Sequence, residues 1–107
     1  YEQIFPAIDA SPIQQVAIEC RNSKVPLDLL ALLKTKIVQA GVIDVASDTV
    51  ETAEDVVQVI DAVSKFVPKS NIIATTNCGM APMRREIAEA KLTALGAGAA
   101  LAREKLG

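Results

Sequence analysis

Short apolar runs alternate with longer stretches of helical spacing along this chain of 107 residues. Residues 16–18, 37–45 and 71–75 are apolar runs rich in β-branched side chains, which is typical of buried strands. After each run, apolar residues recur at steps of three and four, which predicts a helix. The resulting order of strand and helix, with about 30 residues per unit, indicates parallel strands joined by right-handed crossovers.

Residues that begin or end helices divide the chain further. An apolar pattern of helical spacing precedes Ser11-Pro12, and Pro26 is placed to open a short helix. Thr52 is a suitable cap for the next helix, which we expect to end before Pro68. Pro82 lies near the start of the last predicted helix. That helix has one stripe of small and apolar residues, namely Ala88, Leu92, Leu95, Ala99, Ala102 and Leu106.

Three strand and helix units suit part of a parallel α/β barrel, because a whole barrel of eight units takes about 250 residues. Such a fragment has open sheet edges and an apolar face that other residues must cover. The chain also lacks an initiator Met, so we expect it to be truncated. The alternative is a small open sheet with helices on both faces, for which three strands are few.

The composition is that of a globular chain and narrows the class of partner. Half of the residues are apolar, 22% are charged and 3% are aromatic. A net charge of -2 with scattered Lys and Arg favours neither nucleic acid nor an anionic membrane surface. The sequence shows neither an apolar run of the roughly 18 to 20 residues that span a bilayer nor a signal peptide. We therefore expect a cytoplasmic protein with a small-molecule partner.

Two cysteines and no histidine limit the chemistry that these residues can perform. Without an export signal, Cys20 and Cys78 are expected to be reduced thiols or ligands rather than a disulfide. The lack of histidine excludes a Ser-His or Cys-His nucleophile pair within the chain. It also excludes a His-containing zinc site made from these residues alone.

Glu19, Asp44 and Cys78 follow the three apolar runs, where the functional residues of parallel α/β proteins gather. Each also has a structural alternative. Glu19 could pair with a Lys or Arg of other units, Asp44 could accept hydrogen bonds from loop amides, and Cys78 could be an ordinary buried thiol. Cys20 should point away from Glu19 and pack in the core. Gly79 is expected to permit an unusual backbone turn after the thiol.

The segments Val16-Ala17-Ile18-Glu19, Gly41-Val42-Ile43-Asp44-Val45 and Asn77-Cys78-Gly79, followed by Ala81-Pro82-Met83, resemble the C-terminal catalytic barrel of cobalamin-independent methionine synthase. The order and spacing match as well, and the resemblance is closer to the short single-barrel members. It covers essentially the whole chain. It implies an α/β fold made of the last three βα units of a (β/α)8 TIM-type barrel, with residues 1–107 as the C-terminal part of a single catalytic domain.

The resemblance implies a zinc ion with Glu19 and Cys78 among its ligands, while a His and another Cys would lie before Tyr1. Zinc would hold the thiol of homocysteine as a thiolate. This thiolate would attack the methyl group of a methyltetrahydrofolate-type donor and give methionine. Asp44 is then a candidate substrate-binding residue. Alone, the chain is expected to be inactive because half of the zinc ligands are missing.

Ala46 departs from the pattern of the long synthases, which have a His at this position as proton donor to the departing folate. No catalytic residue is therefore assigned within the chain, and the methyl donor is either of folate type or another compound. One alternative is a related zinc-dependent alkyl transfer to another small thiol, such as coenzyme M. A second alternative is a non-catalytic fragment whose partner is another copy of itself rather than the rest of the barrel.

Overall fold

The computed structural model describes residues 3–21, 26–81 and 83–106. Pro82, the predicted start of the last helix, lies outside this part of the chain. The helices and strands are, in order, α1 (Ile4–Ala10), β1 (Gln15–Glu19), a 3-10 helix (Leu27–Leu32), β2 (Ile37–Ile43), α2 (Ala53–Ser64), a second 3-10 helix (Lys69–Asn71), β3 (Ile72–Thr76) and α3 (Arg85–Leu106).

The three strands form one sheet in the order β1-β2-β3, and both neighbouring pairs are parallel. This confirms the parallel pairing predicted from the alternation of strands and helices. In the register of the sheet, Gly41 of β2 lies between Glu19 of β1 and Thr75 of β3. The carboxyl ends of all three strands therefore meet at one edge of the sheet.

The sheet has one buried face and one exposed face. Val38 and Val42 of β2 are fully buried and pack in one core with the apolar residues of α2. The opposite face carries Ala17 and Glu19, which are exposed, and Ile73, which is 45% exposed. A face with exposed apolar side chains is the one that would line the inside of a barrel.

Helix α2 has Thr52 as its cap, as the sequence predicts, and this cap is part of a capping box. The hydroxyl of Thr52 accepts a hydrogen bond of 3.1 Å from the amide of Asp55, whose carboxylate accepts one of 2.9 Å from the amide of Thr52. The backbone hydrogen bond from Thr52 lowers the pKa of Asp55. The helix buries Val56, Ile60 and Val63 and ends at Ser64, before the proline that was expected to stop it.

Helix α3 packs the predicted stripe against the core except at Leu92, and Leu95 and Leu106 contact the buried core residues. Ala102 is buried as expected, but Leu92 is 50% exposed and its neighbour Lys91 is fully buried. The two helices α2 and α3 approach closely at Gly98, where a Cβ would lie 2.3 Å from the Cβ of Val56. Lys91 and Gly98 are therefore buried beside the predicted stripe, whereas Leu92, a member of that stripe, does not pack in the core.

The remaining helices are short. α1 forms where the spacing of its apolar residues predicts it, and the segment after Pro26 forms a 3-10 helix with Leu30 and Leu33 in the core. In the ranges that the structure describes, no helix combines the length and the apolar character required to cross a bilayer.

Candidate functional site

The three predicted site residues lie at the same edge of the sheet. Glu19 is the last residue of β1, Asp44 directly follows β2, and Cys78 comes two residues after β3. Glu19 and Cys78 are exposed, whereas Asp44 is partly buried. The thiol of Cys78 is free. A carboxylate and a thiol are thus presented to solvent on the outer two of three parallel strands.

Asn77 brings the segment after β3 across the end of β2. Its amide N–H donates to the carbonyl of Ile43 at 2.9 Å, and its side-chain Nδ2 donates to the carbonyl of Arg21 at 2.9 Å. The backbone that carries Cys78 is therefore tied to the loop that follows Glu19. This contact between the two outer strand ends spans the whole width of the sheet.

Gly41 makes the crossing possible because it has no side chain. A Cβ at this position would lie 2.3 Å from the Oδ1 of Asn77 and 2.9 Å from its Cα. Both separations are far below van der Waals contact, and one of them involves backbone. Only glycine at the end of β2 allows the turn after β3 to lie over it.

Gly79 does not have the role predicted for it. Its φ lies outside the left-handed region, and a Cβ there would meet no atom within 4 Å, so the expected unusual turn at this glycine is wrong. The turn is held instead by Thr76, whose hydroxyl donates to the carbonyl of Cys78 at 2.8 Å. Glycine is therefore required at position 41, where Asn77 crosses β2, and not at position 79 in the turn itself.

Asp44 has hydrogen bonds at its side chain and at both backbone groups. Its Oδ1 accepts from the amide of Ala46 at 2.9 Å, which is the loop contact expected of a structural aspartate. Its amide donates to Oε2 of Glu51 at 2.7 Å, and its carbonyl accepts from Nζ of Lys91 at 2.9 Å. These hydrogen bonds tie the loop after β2 to Glu51 and to α3, while substrate binding by Asp44 stays a prediction.

Glu51 and Lys91 form a buried ion pair next to this loop, which sequence reasoning missed. Their Oε1 and Nζ atoms lie 2.8 Å apart, and the two side chains are 2% and 0% exposed. Nζ also donates to the carbonyl of Thr49 at 2.7 Å, and Nε of Arg21 lies 3.3 Å from the other carboxylate oxygen of Glu51. Buried charges must be paired, so a lysine next to an apolar stripe is the signal that could have indicated this pair.

Cys20 is the buried thiol of the chain, as predicted. It is 8% exposed, belongs to the hydrophobic core, and its Sγ donates to the carbonyl of Ile18 at 3.4 Å. Burial raises the pKa of Cys20 to about 11, so this thiol stays protonated at neutral pH. Since a metal takes the thiolate form, Cys78 is the cysteine suited to be a ligand.

The donor atoms available at the edge suit zinc but form only part of a site. Among residues 3–21, 26–81 and 83–106, no three His, Cys, Asp or Glu side chains gather closely enough to hold a metal ion. Zinc accepts both thiolate and carboxylate ligands and is usually bound by three or four protein groups. Glu19 and Cys78 therefore offer donor types that zinc accepts, and their role as zinc ligands stays a prediction.

Comparison with known proteins gives a consistent match along nearly the whole chain. Residues 1–100 match the family model described as "Cobalamin-independent synthase, Catalytic domain". A methionine synthase from Saccharolobus solfataricus is 31% identical over 109 aligned positions, which cover 99% of this chain and 32% of that protein. A 2-hydroxypropyl-CoM lyase from Xanthobacter autotrophicus is 42% identical over 67 residues, covering 63% of this chain and 18% of the lyase.

Among solved structures, a B12-independent methionine synthase from Shewanella sp. W3-18-1, in complex with selenomethionine, matches with a TM-score of 0.95 and 44% identity. The match covers 99% of this chain and 31% of that one, so the chain spans about a third of the methionine synthases that it matches. The comparison confirms the predicted fold class, in which the parallel βα units are part of a TIM-type barrel.

Proposed function

The chain belongs to the family of cobalamin-independent synthase catalytic domains, and on this premise we propose that the full-length protein methylates the thiol of homocysteine to give methionine. Residues 1–107 would form the C-terminal part of a single (β/α)8 catalytic domain. The observation that carries the proposal is the match to the Shewanella methionine synthase, at 44% identity over 99% of the chain. At such identity, and with a TM-score of 0.95, the fold of the two chains is comparable.

Glu19 and Cys78 are the proposed zinc ligands within this chain. Their support is the exposure of both side chains at one edge and the crossing at Gly41, which carries the backbone next to Cys78 toward β1. When bound, zinc would hold the substrate thiol as a thiolate at neutral pH. The remaining ligands would come from parts of the full-length protein outside these residues. The chain alone would then be inactive.

Homocysteine is the proposed thiol because the structure of the Shewanella protein is a complex with selenomethionine. Selenomethionine is the selenium analogue of methionine, the product of methyl transfer to homocysteine. Asp44, between the strands of Glu19 and Cys78, is proposed to contact this substrate.

The methyl donor is proposed to be a methyltetrahydrofolate-type compound or another compound that donates a methyl group. Ala46 is exposed in the loop after β2 and has no proton to give to a leaving group. A donor of folate type would therefore receive its proton from a residue elsewhere in the full-length protein or from water.

A test of the zinc ligands uses the full-length protein and the variant Cys78→Ser. We expect zinc affinity to fall by more than about 100-fold, because changes outside the ligand sphere alone cost 10-fold to 100-fold. Homocysteine methylation should be lost with the metal. Zinc affinity can be measured by competition with a chromophoric chelator, and Glu19→Gln should behave in the same direction.

The matched control is Cys20→Ala, which removes the buried thiol and leaves the strand ends unchanged. This variant should bind zinc with the affinity of the unmodified protein. Zinc retained undiminished in Cys78→Ser would contradict the proposed site. Loss of zinc in Cys20→Ala but not in Cys78→Ser would indicate that Cys20 is the ligand. This result would also contradict the proposed site.

Alkyl transfer to another thiol is the second candidate function, favoured by the 42% identity to the 2-hydroxypropyl-CoM lyase. That match covers a smaller share of the chain than the matches to methionine synthases. Assays of the full-length protein with homocysteine and with coenzyme M as acceptor would separate the two. Alkylation of coenzyme M without methylation of homocysteine would replace the first proposal by the second.

A further inference from the structure

Arg21 is held at three points by different parts of the fold. Its backbone N–H donates to the carbonyl of Gly41 in β2 at 2.9 Å, and its own carbonyl accepts from Nδ2 of Asn77, after β3, at 2.9 Å. Its side-chain Nε lies 3.3 Å from Oε2 of Glu51, in the segment before α2. Since Arg21 itself follows β1, this one residue joins the carboxyl ends of all three strands.

The place of Arg21 in the chain puts it next to both segments that carry the proposed zinc ligands. Glu19 comes two residues before it, and its hydrogen-bond partner Asn77 directly precedes Cys78. The bond between Arg21 and Asn77 is therefore a direct link between the ends of the two outer strands of the sheet. A shift of Arg21 along the edge of the sheet would change the separation of Glu19 and Cys78.

Glu51 is a fixed anchor for the side chain of Arg21. Its side chain is 2% exposed, and its Oε1 lies 2.8 Å from Nζ of the fully buried Lys91. Its Oε2 accepts from the amide of Asp44 at 2.7 Å in addition to facing Arg21. Both oxygens of Glu51 are thus held, one by α3 and the other by the loop after β2. The guanidinium of Arg21 is therefore attracted to a carboxylate that keeps its place.

Stability alone does not explain this arrangement. Among the residues that the structure describes, the buried side-chain atoms without a hydrogen-bond partner are Nε of Arg21 and Oδ1 of Asn77. The ion pair between Arg21 and Glu51 therefore has no hydrogen bond at Nε, and the link to β3 leaves an acceptor of Asn77 unsatisfied. Unsatisfied buried groups cost stability, and proteins keep such unfavourable groups mainly at functional sites.

We propose that Arg21 is a positioning residue: held by Glu51, it sets the separation of Glu19 and Cys78 and thereby the affinity of the site for zinc. This inference rests on the proposed function and deepens it, because it adds to the two proposed ligands the residue that fixes their spacing. The carbonyl of Arg21 holds Asn77, and its side chain keeps that carbonyl in place. Zinc binds its ligands at nearly fixed distances in tetrahedral geometry, so a shifted strand end weakens binding.

The test uses the full-length protein and the variant Arg21→Met, which removes the charge and keeps an unbranched side chain. Glu51 stays paired with Lys91 in this variant, so no buried charge is left alone. We expect zinc affinity, measured by chelator competition, to fall by about 10-fold to 100-fold, as for other groups that orient metal ligands. With cobalt(II) in place of zinc, the thiolate-to-cobalt absorption should also change, because the bond to Cys78 changes its length or direction.

The matched control is Arg103→Met, the same substitution at an exposed arginine in the last turn of α3. It should leave zinc affinity and the cobalt absorption unchanged. A further variant, Asn77→Ala, removes the donor to the carbonyl of Arg21. Because Arg21→Met and Asn77→Ala interrupt the same link, the double variant should lose no more zinc affinity than the weaker-binding single variant. Should Arg21→Met not fold, Arg21→Gln keeps a polar side chain without the charge, and it should show the same effects.

An unchanged zinc affinity in a folded Arg21→Met protein would overturn the inference. A loss of affinity with unchanged cobalt absorption, or losses that add in the double variant, would overturn it too, because these results indicate a general effect on the fold.

The proposed function is judged separately. If the unmodified protein binds no zinc, or if Cys78→Ser keeps its zinc, the proposed site and the inference both fail. If zinc is bound through Cys78 but homocysteine is not methylated, only the proposed function fails. If Cys78→Ser loses zinc and Arg21→Met does not, only the inference fails.

Discussion

Gly41 shows how a single residue determines the geometry between two strand ends. Because it has no side chain, Asn77 can lie over the end of β2 and reach the carbonyl of Arg21 on the far side. The backbone next to Cys78 is thereby tied to the strand that carries Glu19. Gly41, which has no side chain to bind a ligand, thus influences how the segments that carry the two candidate ligands approach each other.

We predict that Gly41→Ala disturbs both stability and metal binding. The added Cβ would meet the backbone of Asn77, and overpacking of this kind costs about 1–3 kcal/mol in the free energy of unfolding. As the crossing segment moves, zinc affinity of the full-length protein should fall by about 10-fold to 100-fold. Denaturant titration and chelator competition measure the two effects.

Gly79→Ala is the control for this prediction, since it lies in the same segment and its added Cβ would meet no atom within 4 Å. It should leave zinc affinity unchanged. Equal zinc affinity in Gly41→Ala and the unmodified protein would show that the crossing at Gly41 does not determine the distance between the ligands.

At the level of single residues, the position of a residue relative to a strand predicts its place at the site edge better than its residue type does. Glu19, Asp44 and Cys78 were identified because they follow apolar runs, and the structure does place them at one edge. Lys91 was not identified, because a lysine is expected to face solvent unless a partner is known. Its partner Glu51 lies 40 positions away, a separation that no local pattern reveals.

At the level of elements, the contact between α2 and α3 requires glycine at position 98 but not at position 96. Gly98 faces Val56 of α2, where a Cβ would lie 2.3 Å from the valine Cβ. Gly96, on the same helix, has no atom within 4 Å of such a Cβ. The two glycines therefore form a matched pair for measuring what close helix packing contributes.

We predict opposite effects of Gly98→Ala and Gly96→Ala on the free energy of unfolding. Gly98→Ala should destabilise, because a clash costing about 1–3 kcal/mol exceeds the gain in helix propensity. Gly96→Ala should stabilise by about 0.5–1 kcal/mol, since alanine loses less backbone entropy than glycine in a helix. Denaturant midpoints of the two variants, measured under the same conditions, show whether the two changes in the free energy of unfolding have opposite signs.

Destabilisation by both substitutions to the same extent would show that the packing against Val56 is not the cause. The buried face of α3 includes most of the predicted stripe and also Lys91 and Gly98, while Leu92 is 50% exposed. Apolar periodicity predicts the helix correctly, but the direction in which the helix faces is set by where its backbone can approach α2. That depends on the neighbour and not on the helix alone.

At the level of the whole molecule, the sheet has unpaired edges and an uncovered face. β1 and β3 are the outer strands of the described sheet, and Ile73 is 45% exposed on the face opposite the helices. Exposed strand edges are templates for pairing with other chains. In the proposed barrel, other βα units of the full-length protein would cover both features.

We predict that the isolated chain of 107 residues associates with itself, because pairing of its edges is then the available way to cover them. Light scattering at several concentrations, with reductant present so that the exposed Cys78 forms no disulfide, measures the mass in solution. A monomeric mass at every concentration would contradict the prediction that the exposed strand edges pair between copies. Zinc should be bound weakly by the isolated chain, since it supplies only part of the proposed ligand set.

The sequence by itself determined the order of strands and helices, the parallel sheet and the residues at the strand ends. These follow from local properties: apolar periodicity, β-branched runs, caps and proline positions. It also determined that Cys20 packs inside, because neighbouring residues of a strand point to opposite faces.

Only the tertiary structure decided how the strand ends are connected and which charges are buried. Asn77 and Arg21 are 56 positions apart, and Lys91 and Asp44 are 47 positions apart. Whether such residues meet depends on the register of the sheet and on the depth at which α3 packs. A pattern along the chain therefore predicts where the site edge lies, whereas the fold decides which residues support it.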